Sequence, residues 1–191
     1  MQDLVSFYYD KFKPVYSYIQ QTNKVPNEML FEINAAFDHW TRIIYYGEDE
    51  AKTIRSVCAH LKRGCFDAFK IIVYQTREQY NELKQTDLSL IDNGEFVKSL
   101  NRLWADIEKL AVEARMSEGD SRDEEKWHDA FDKWENVIYK CSLLTQNFFL
   151  SDKVKWAKDK QRRSVWMGFA LGVVASLVAA GLFELVKHYC F

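Results

Sequence analysis

The chain has 191 residues, 28% charged and 48% hydrophobic, with seven Gly and two Pro, a composition that favours helices and one core domain with an appendage. The net charge is −2; residues 153–163 carry six Lys or Arg and one Asp, and residues 164–191 are neutral, which leaves −7 for residues 1–152. This acidic part argues against direct nucleic-acid binding, which needs clustered Lys and Arg.

Cysteine spacing and glycine motifs exclude several other classes. No CxxC pair, no His at zinc-ligand spacing and no glycine-rich phosphate loop occur, so we expect neither a metal nor another cofactor, and no nucleotide hydrolysis. The scattered thiols indicate a reducing cytoplasm for the body, residues 1–152. The cysteines are Cys58, Cys65, Cys141 and Cys190.

Apolar residues recur at helical spacing through the body, and no segment alternates with the period of two that marks a strand. The sequence therefore predicts an all-α bundle of five helices. Pro14 predicts a kink or break in the first helix, and Pro26 and Gly47 bound the second. The first predicted helix covers about 2–21, and the second has Pro26 in its first turn and runs to about 46. The next two cover about 48–84 and 95–116, and a fifth begins at the acidic residues 123–125.

The third predicted helix carries a polar stripe away from most of its apolar face. Its members are spaced i, i+3, i+7 and i+10, so they share one side of the helix. The stripe could be a charge-paired network, a phosphate-binding patch, a contact between subunits, or an ordinary solvated face. It consists of His60, Arg63, Asp67 and Lys70.

Arg55 and His60 are separated by four residues, and Ser56 follows the Arg. In this arrangement the chain resembles the HEPN superfamily, small helical bundles whose Arg and His form a metal-independent RNase site across a dimer. The resemblance implies that His60 is the general acid or base on a ribose 2′-hydroxyl and that Arg55 steadies the phosphate. The family's motif has four to six residues between the Arg and the His, so Arg122 and His128, with five residues between them, match it too. The acidic residues between that second pair make it less suited to RNA.

The segment 164–188 is predicted to cross a membrane. Residues 165–183 carry no charge and would form about 28 Å of helix, close to the thickness of a bilayer's hydrocarbon. Trp166 and Tyr189 stand where interface anchors are found, and the preceding basic collar, residues 153–163, places the body in the cytoplasm.

Small residues recur every four positions along this span, which predicts that copies of the helix associate. The alternative is that Gly and Ala are simply common in spans. Glu184 continues the stripe, and it would either form an acidic ring at a pore mouth or pair with Lys187 and His188. The small residues are Gly168, Gly172, Ser176 and Ala180.

An all-helical, HEPN-like body joined to one span resembles the small membrane accessory proteins of type VI-B CRISPR systems. The resemblance implies a divergent HEPN-like body that does not cleave RNA itself. It further implies that the chain forms a homo-oligomeric pore in the bacterial inner membrane, which depolarises the membrane when an RNA-guided RNase is activated. Two alternatives stay open: a membrane-tethered RNase using Arg55 and His60, and a tail-anchored adaptor that recruits a partner.

Overall fold

The computed structural model describes residues 2–20, 25–119 and 123–190, with side chains for these ranges except 124 and 184–190. These ranges are helical apart from short connections and contain no β-strand, which confirms the all-α class ending in one long apolar helix. The helices are α1 (Gln2–Phe7), α2 (Lys13–Gln20), α3 (Asn27–Tyr46), α4 (Glu50–Leu83), α5 (Glu95–Ser117), α6 (Glu124–Leu144) and α7 (Asp152–Cys190).

The first helical segment passes Pro14 because the chain widens in the turn before it. Residues Tyr8–Phe12 form a π-helical turn between α1 and α2, and the Lys13 N–H donates to the Tyr8 carbonyl. In a regular α-helix the proline ring would crowd the carbonyl four residues earlier, that of Asp10. The predicted kink or break is therefore replaced by a local widening, after which α2 continues.

α3 and α4 form an antiparallel hairpin whose turn depends on two residues. Gly47 has φ 64° and ψ 30°, and its N–H donates to the Arg42 carbonyl, which ends α3 with the left-handed residue typical of helix C-termini. Asp49 then caps α4 by accepting the Lys52 N–H at 2.6 Å. The predicted helix stop at Gly47 is confirmed.

α4 is the central element of the bundle. It has 34 residues, which corresponds to about 51 Å of helix, and α1, α2, α3 and α6 pack on it. Its apolar stripe is buried as predicted, and the Phe69 ring lies 5.3 Å from Phe131 and 6.2 Å from Trp134, both on α6. Burial raises the pKa of the Cys141 thiol on α6 to about 11, so this thiol stays protonated at neutral pH.

The connection between α4 and α5 lies within the predicted turn region 85–94. Asp92, Asn93 and Gly94 have φ of 49°, 55° and 86°, and these residue types adopt left-handed conformations most readily. Asp92 forms an ion pair with Lys153, so this turn is attached to the start of α7.

α7 runs unbroken through the predicted basic collar and the predicted span, so the two belong to one helix. Val154 and Ala157 in the collar are buried against the body, and Lys158 Nζ lies 3.4 Å from Glu82 Oε1 near the end of α4. From residue 158 to residue 183 every side chain is exposed. The collar therefore joins the body to a helix that the body does not cover.

Candidate functional site

The polar stripe of α4 is divided into two ion-paired clusters rather than left in solvent. The first, formed by His60 and Arg63, faces α3. The second, formed by Asp67 and Lys70, faces the connection after α5. All four side chains are partly buried, which the interpretation as a solvated face does not account for.

Glu32 on α3 is the centre of the first cluster. Arg63 Nε donates to both Glu32 carboxylate oxygens at 3.2 Å, and His60 Nδ1 lies 2.6 Å from Glu32 Oε2. The ring of His39 lies against that of His60, with centroids 5.1 Å apart and planes 30° apart. The cluster thus pairs a carboxylate on one helix with a guanidinium and an imidazole on the next.

The first cluster also restricts what His60 can do. Its Nδ1 lies 2.6 Å from Arg63 Nη2 as well as 2.6 Å from the Glu32 carboxylate. One ring nitrogen cannot donate to a carboxylate and accept from a guanidinium in the same tautomer. Either arrangement occupies Nδ1, so proton transfer to a substrate would have to use Nε2.

Lys70 is the centre of the second cluster. Its Nζ lies 2.9 Å from Glu118 Oε2 and 3.4 Å from Asp67 Oδ1, and Glu118 Oε1 accepts the Trp134 indole N–H at 3.0 Å. Burial raises the pKa of Asp67 above its ordinary value, although Lys70 opposes the shift. Because carboxylates neutralise Arg63 and Lys70, the stripe fits a charge-paired network better than a phosphate-binding patch.

A cavity of about 690 Å³ opens beside the second cluster, between α4 and α5. Its size lies within the range of small-molecule sites, and Arg77 Nη2 lies 3.4 Å from Glu108 Oε1 on its wall. Acidic and basic side chains are equal in number there, so the lining favours neither anions nor cations. The charged lining residues are Glu28, Asp67, Lys70, Arg77, Glu108 and Arg115.

Arg55 and His60 do not share a face of α4. They lie five positions apart along a regular helix, which places them about 140° apart around its axis. Arg55 is exposed, whereas His60 is partly buried in the Glu32 cluster. Within one chain the structure thus brings His60 to Arg63, Glu32 and His39 rather than to Arg55.

The apolar part of α7 is exposed around its whole circumference. It is the one helix in the described ranges long and apolar enough to cross a membrane, and none of its apolar window is buried. A Cβ built on Gly168 or Gly172 would meet nothing within 4 Å, and Ser176 and Ala180 are likewise exposed. The side chain of Glu184 lies outside the described residues.

Three residues of the clusters escaped the sequence analysis: Glu32, His39 and Glu118. Glu32 lies on α3 between the buried Met29 and Ala36. Its position as a carboxylate within the apolar stripe of that helix is the feature of the sequence that could have identified it. Glu118 lies in a connection, where no periodicity marks it. Among the described residues no group of three or more His, Cys, Asp or Glu is arranged to hold a metal ion.

The chain matches no known protein family, no curated protein and no solved structure.

Proposed function

We propose that this chain is an oligomeric membrane pore that acts in bacterial antiviral defence, depolarising the inner membrane together with an RNA-guided RNase. The observation that carries the proposal is the uncovered apolar helix, residues 165–183, which continues directly from the body. The functional assignment to defence rests on the resemblance to type VI-B accessory proteins.

Exposure of this helix to water would be costly. The segment has nineteen mostly apolar residues with exposed side chains. Keeping them in water would cost tens of kcal/mol, on the order of 25 cal/mol for each Å² of apolar surface. A core helix of a soluble protein avoids this cost by burying a face, which the apolar segment of α7 does not do. A bilayer is the environment that suits all sides of the helix at once.

The collar supports one orientation in that bilayer. Its six Lys and Arg precede the apolar segment within the same helix, and basic residues flanking a span are retained on the cytoplasmic side. The body is then cytoplasmic and the residues after the span face outward.

The pore requires several copies because one helix cannot enclose water. Gly168, Gly172, Ser176 and Ala180 form a slanting stripe along which another helix can approach closely, and the body leaves that stripe open. Glu184 would follow the stripe toward the outer mouth, where a ring of carboxylates would favour cations.

Dye efflux from liposomes containing the purified full-length protein tests the pore. We expect efflux from wild type and from V174L, a matched substitution on another side of the helix. The double variant G172L/S176L should lose it, because two leucines keep neighbouring helices apart. Sealed wild-type liposomes together with strictly monomeric protein in micelles would overturn the proposal. Unchanged function of the double variant in cells would favour the adaptor.

The variant H60A separates the pore from the tethered RNase. A nuclease that depends on His60 loses RNA cleavage, whereas a pore keeps its efflux apart from the cost of disturbing the Glu32 cluster. RNA cleavage by wild type that disappears in H60A would favour the nuclease.

A further inference from the structure

The outer side of α3 carries an apolar seam at heptad spacing. Its five residues are separated by three, four, three and four positions, the pattern of helices that pair along their length. Three of the five residues are left open by the body, since Leu30, Phe37 and Ile44 are 44%, 65% and 76% exposed, whereas Ile33 and Trp40 pack partly against the core. The seam consists of Leu30, Ile33, Phe37, Trp40 and Ile44.

The neighbouring N-terminal helix widens this surface. Val5, Tyr8 and Tyr9 are also exposed, and they line an apolar groove of about 320 Å³ together with Phe37 and Trp40. The seam and the groove therefore form one continuous face across α1, the π-helical turn and α3, which we call the α3 face.

The α3 face approaches the size of a standard interface. The exposed parts of Val5, Tyr8, Tyr9, Leu30, Phe37 and Ile44 sum to roughly 650 Å², taking about 200 Å² for a whole side chain of this size. A standard interface buries about 800 Å² on each partner. A monomeric protein seldom exposes a contiguous apolar patch of this extent.

The edges of the seam favour an identical partner. On the open edge of the seam the flanking positions are Asn34 and Thr41, which carry no charge, so two copies meet there without like-charge repulsion. On the other edge Ala36 and Ile43 pack against the core of their own chain. The nearby charges are already satisfied, since Arg42 Nη2 lies 2.7 Å from Asp38 Oδ2 on the same helix.

The α3 face lies far along α4 from the point where the span leaves the body. The groove places Phe37 beside Val57 and Leu61 of α4. Leu61 lies 21 residues before Glu82, whose carboxylate contacts the collar, a distance of about 32 Å along the helix. Copies anchored in one membrane with the same orientation present this face at the same height, and tethering raises their effective concentration.

We propose that the α3 face binds a second copy of this chain, with the two α3 helices parallel and each Phe37 packed against its counterpart. The inference rests on the membrane anchoring in the proposed function but not on the pore. Parallel pairing brings every seam position opposite its own copy, and Phe37 lies at the centre of the seam.

Crosslinking of the full-length protein in nanodiscs or micelles tests the pairing. In a C58S/C190S background, which leaves only buried described cysteines, F37C should give a covalent dimer with a short bismaleimide. Y139C, on an exposed position of α6, is the matched control and should stay monomeric. Adding I44E to F37C should abolish the dimer, because like charges would then face each other in the seam.

Each outcome decides between the two proposals. Equal crosslinking of F37C and Y139C, or a dimer that survives I44E in a folded protein, would overturn the pairing. Crosslinking together with liposomes that stay sealed in both wild type and I44E would support the pairing and contradict the pore. Leaking liposomes without crosslinking would support the pore and contradict the pairing.

Discussion

Replacement of Glu32 by Gln tests whether the first polar cluster stabilises the bundle. The substitution keeps the size of the side chain and removes its charge. It weakens two contacts at once, the 3.2 Å bond from Arg63 Nε and the 2.6 Å contact with His60 Nδ1. Both link α3 to α4, so the change acts on the packing of the two helices rather than within one of them.

The expected cost follows from the burial of the partners. A hydrogen bond to a charged group contributes about 1.5–3 kcal/mol when buried. Glu32 is 22% exposed but Arg63 is 42% exposed, and solvent screens such a pair. We therefore expect E32Q to lower the free energy of unfolding by about 1–2 kcal/mol, which is roughly 3–6 °C in Tm for a chain of this size.

Thermal unfolding of the full-length protein in detergent, followed by far-UV circular dichroism, measures the effect. D38N is the matched control on the same helix, because it removes the exposed pair with Arg42 and should cost only about 0.3–0.5 kcal/mol. R63Q should cost less in the E32Q background than in wild type. Equal shifts in Tm for E32Q and D38N would refute the reasoning, because the cluster would then contribute no more to stability than an ordinary surface ion pair.

Four further substitutions test the fold. G64A should raise Tm by the equivalent of about 0.5–1 kcal/mol, because its Cβ would lie 3.5 Å from its nearest neighbours; G47A, at φ 64°, should instead cost about 1–2 kcal/mol. Burial raises the pKa of Asp67, so its ionisation opposes folding, and wild type should lose stability relative to D67N as pH rises through that pKa in denaturant titrations. A backbone N–H bond lowers the pKa of Asp123, so its advantage over D123N should be present at neutral pH and vanish as pH falls below about 4.

The helix boundaries could be predicted because they depend on local residues. Pro26 and Gly47 bound α3 as expected, and the fourth predicted helix, 95–116, agrees with α5 at Glu95–Ser117. The π-helical turn before Pro14 could not be predicted, because either a break or a widening relieves the same clash. The choice depends on keeping both Phe12 and Ile19 buried, which is a tertiary constraint.

The candidate site could be predicted only in part. The spacing of His60 and Arg63 located one half of the first cluster, but the partner Glu32 lies 28 residues before His60, and periodicity alone does not say which helices pack. The collar was predicted from its charge, yet Val154 and Ala157 are buried at i, i+3 spacing. In so basic a segment two apolar residues were too weak a signal to predict packing on the body.

The two proposed self-association surfaces would have opposite consequences for assembly. An α3 pair is closed by two copies, so it offers no α3 face to a third. A pore of single-span chains needs a ring of more than two copies, and the contacts that close this ring must come from the spans. Pairing through α3 therefore competes with the ring, and I44E should raise dye efflux above wild type whereas G172L/S176L lowers it. Reduced efflux from a folded I44E variant would instead indicate that pairing through α3 is a step in the assembly of the pore. The symmetry argument would then be wrong.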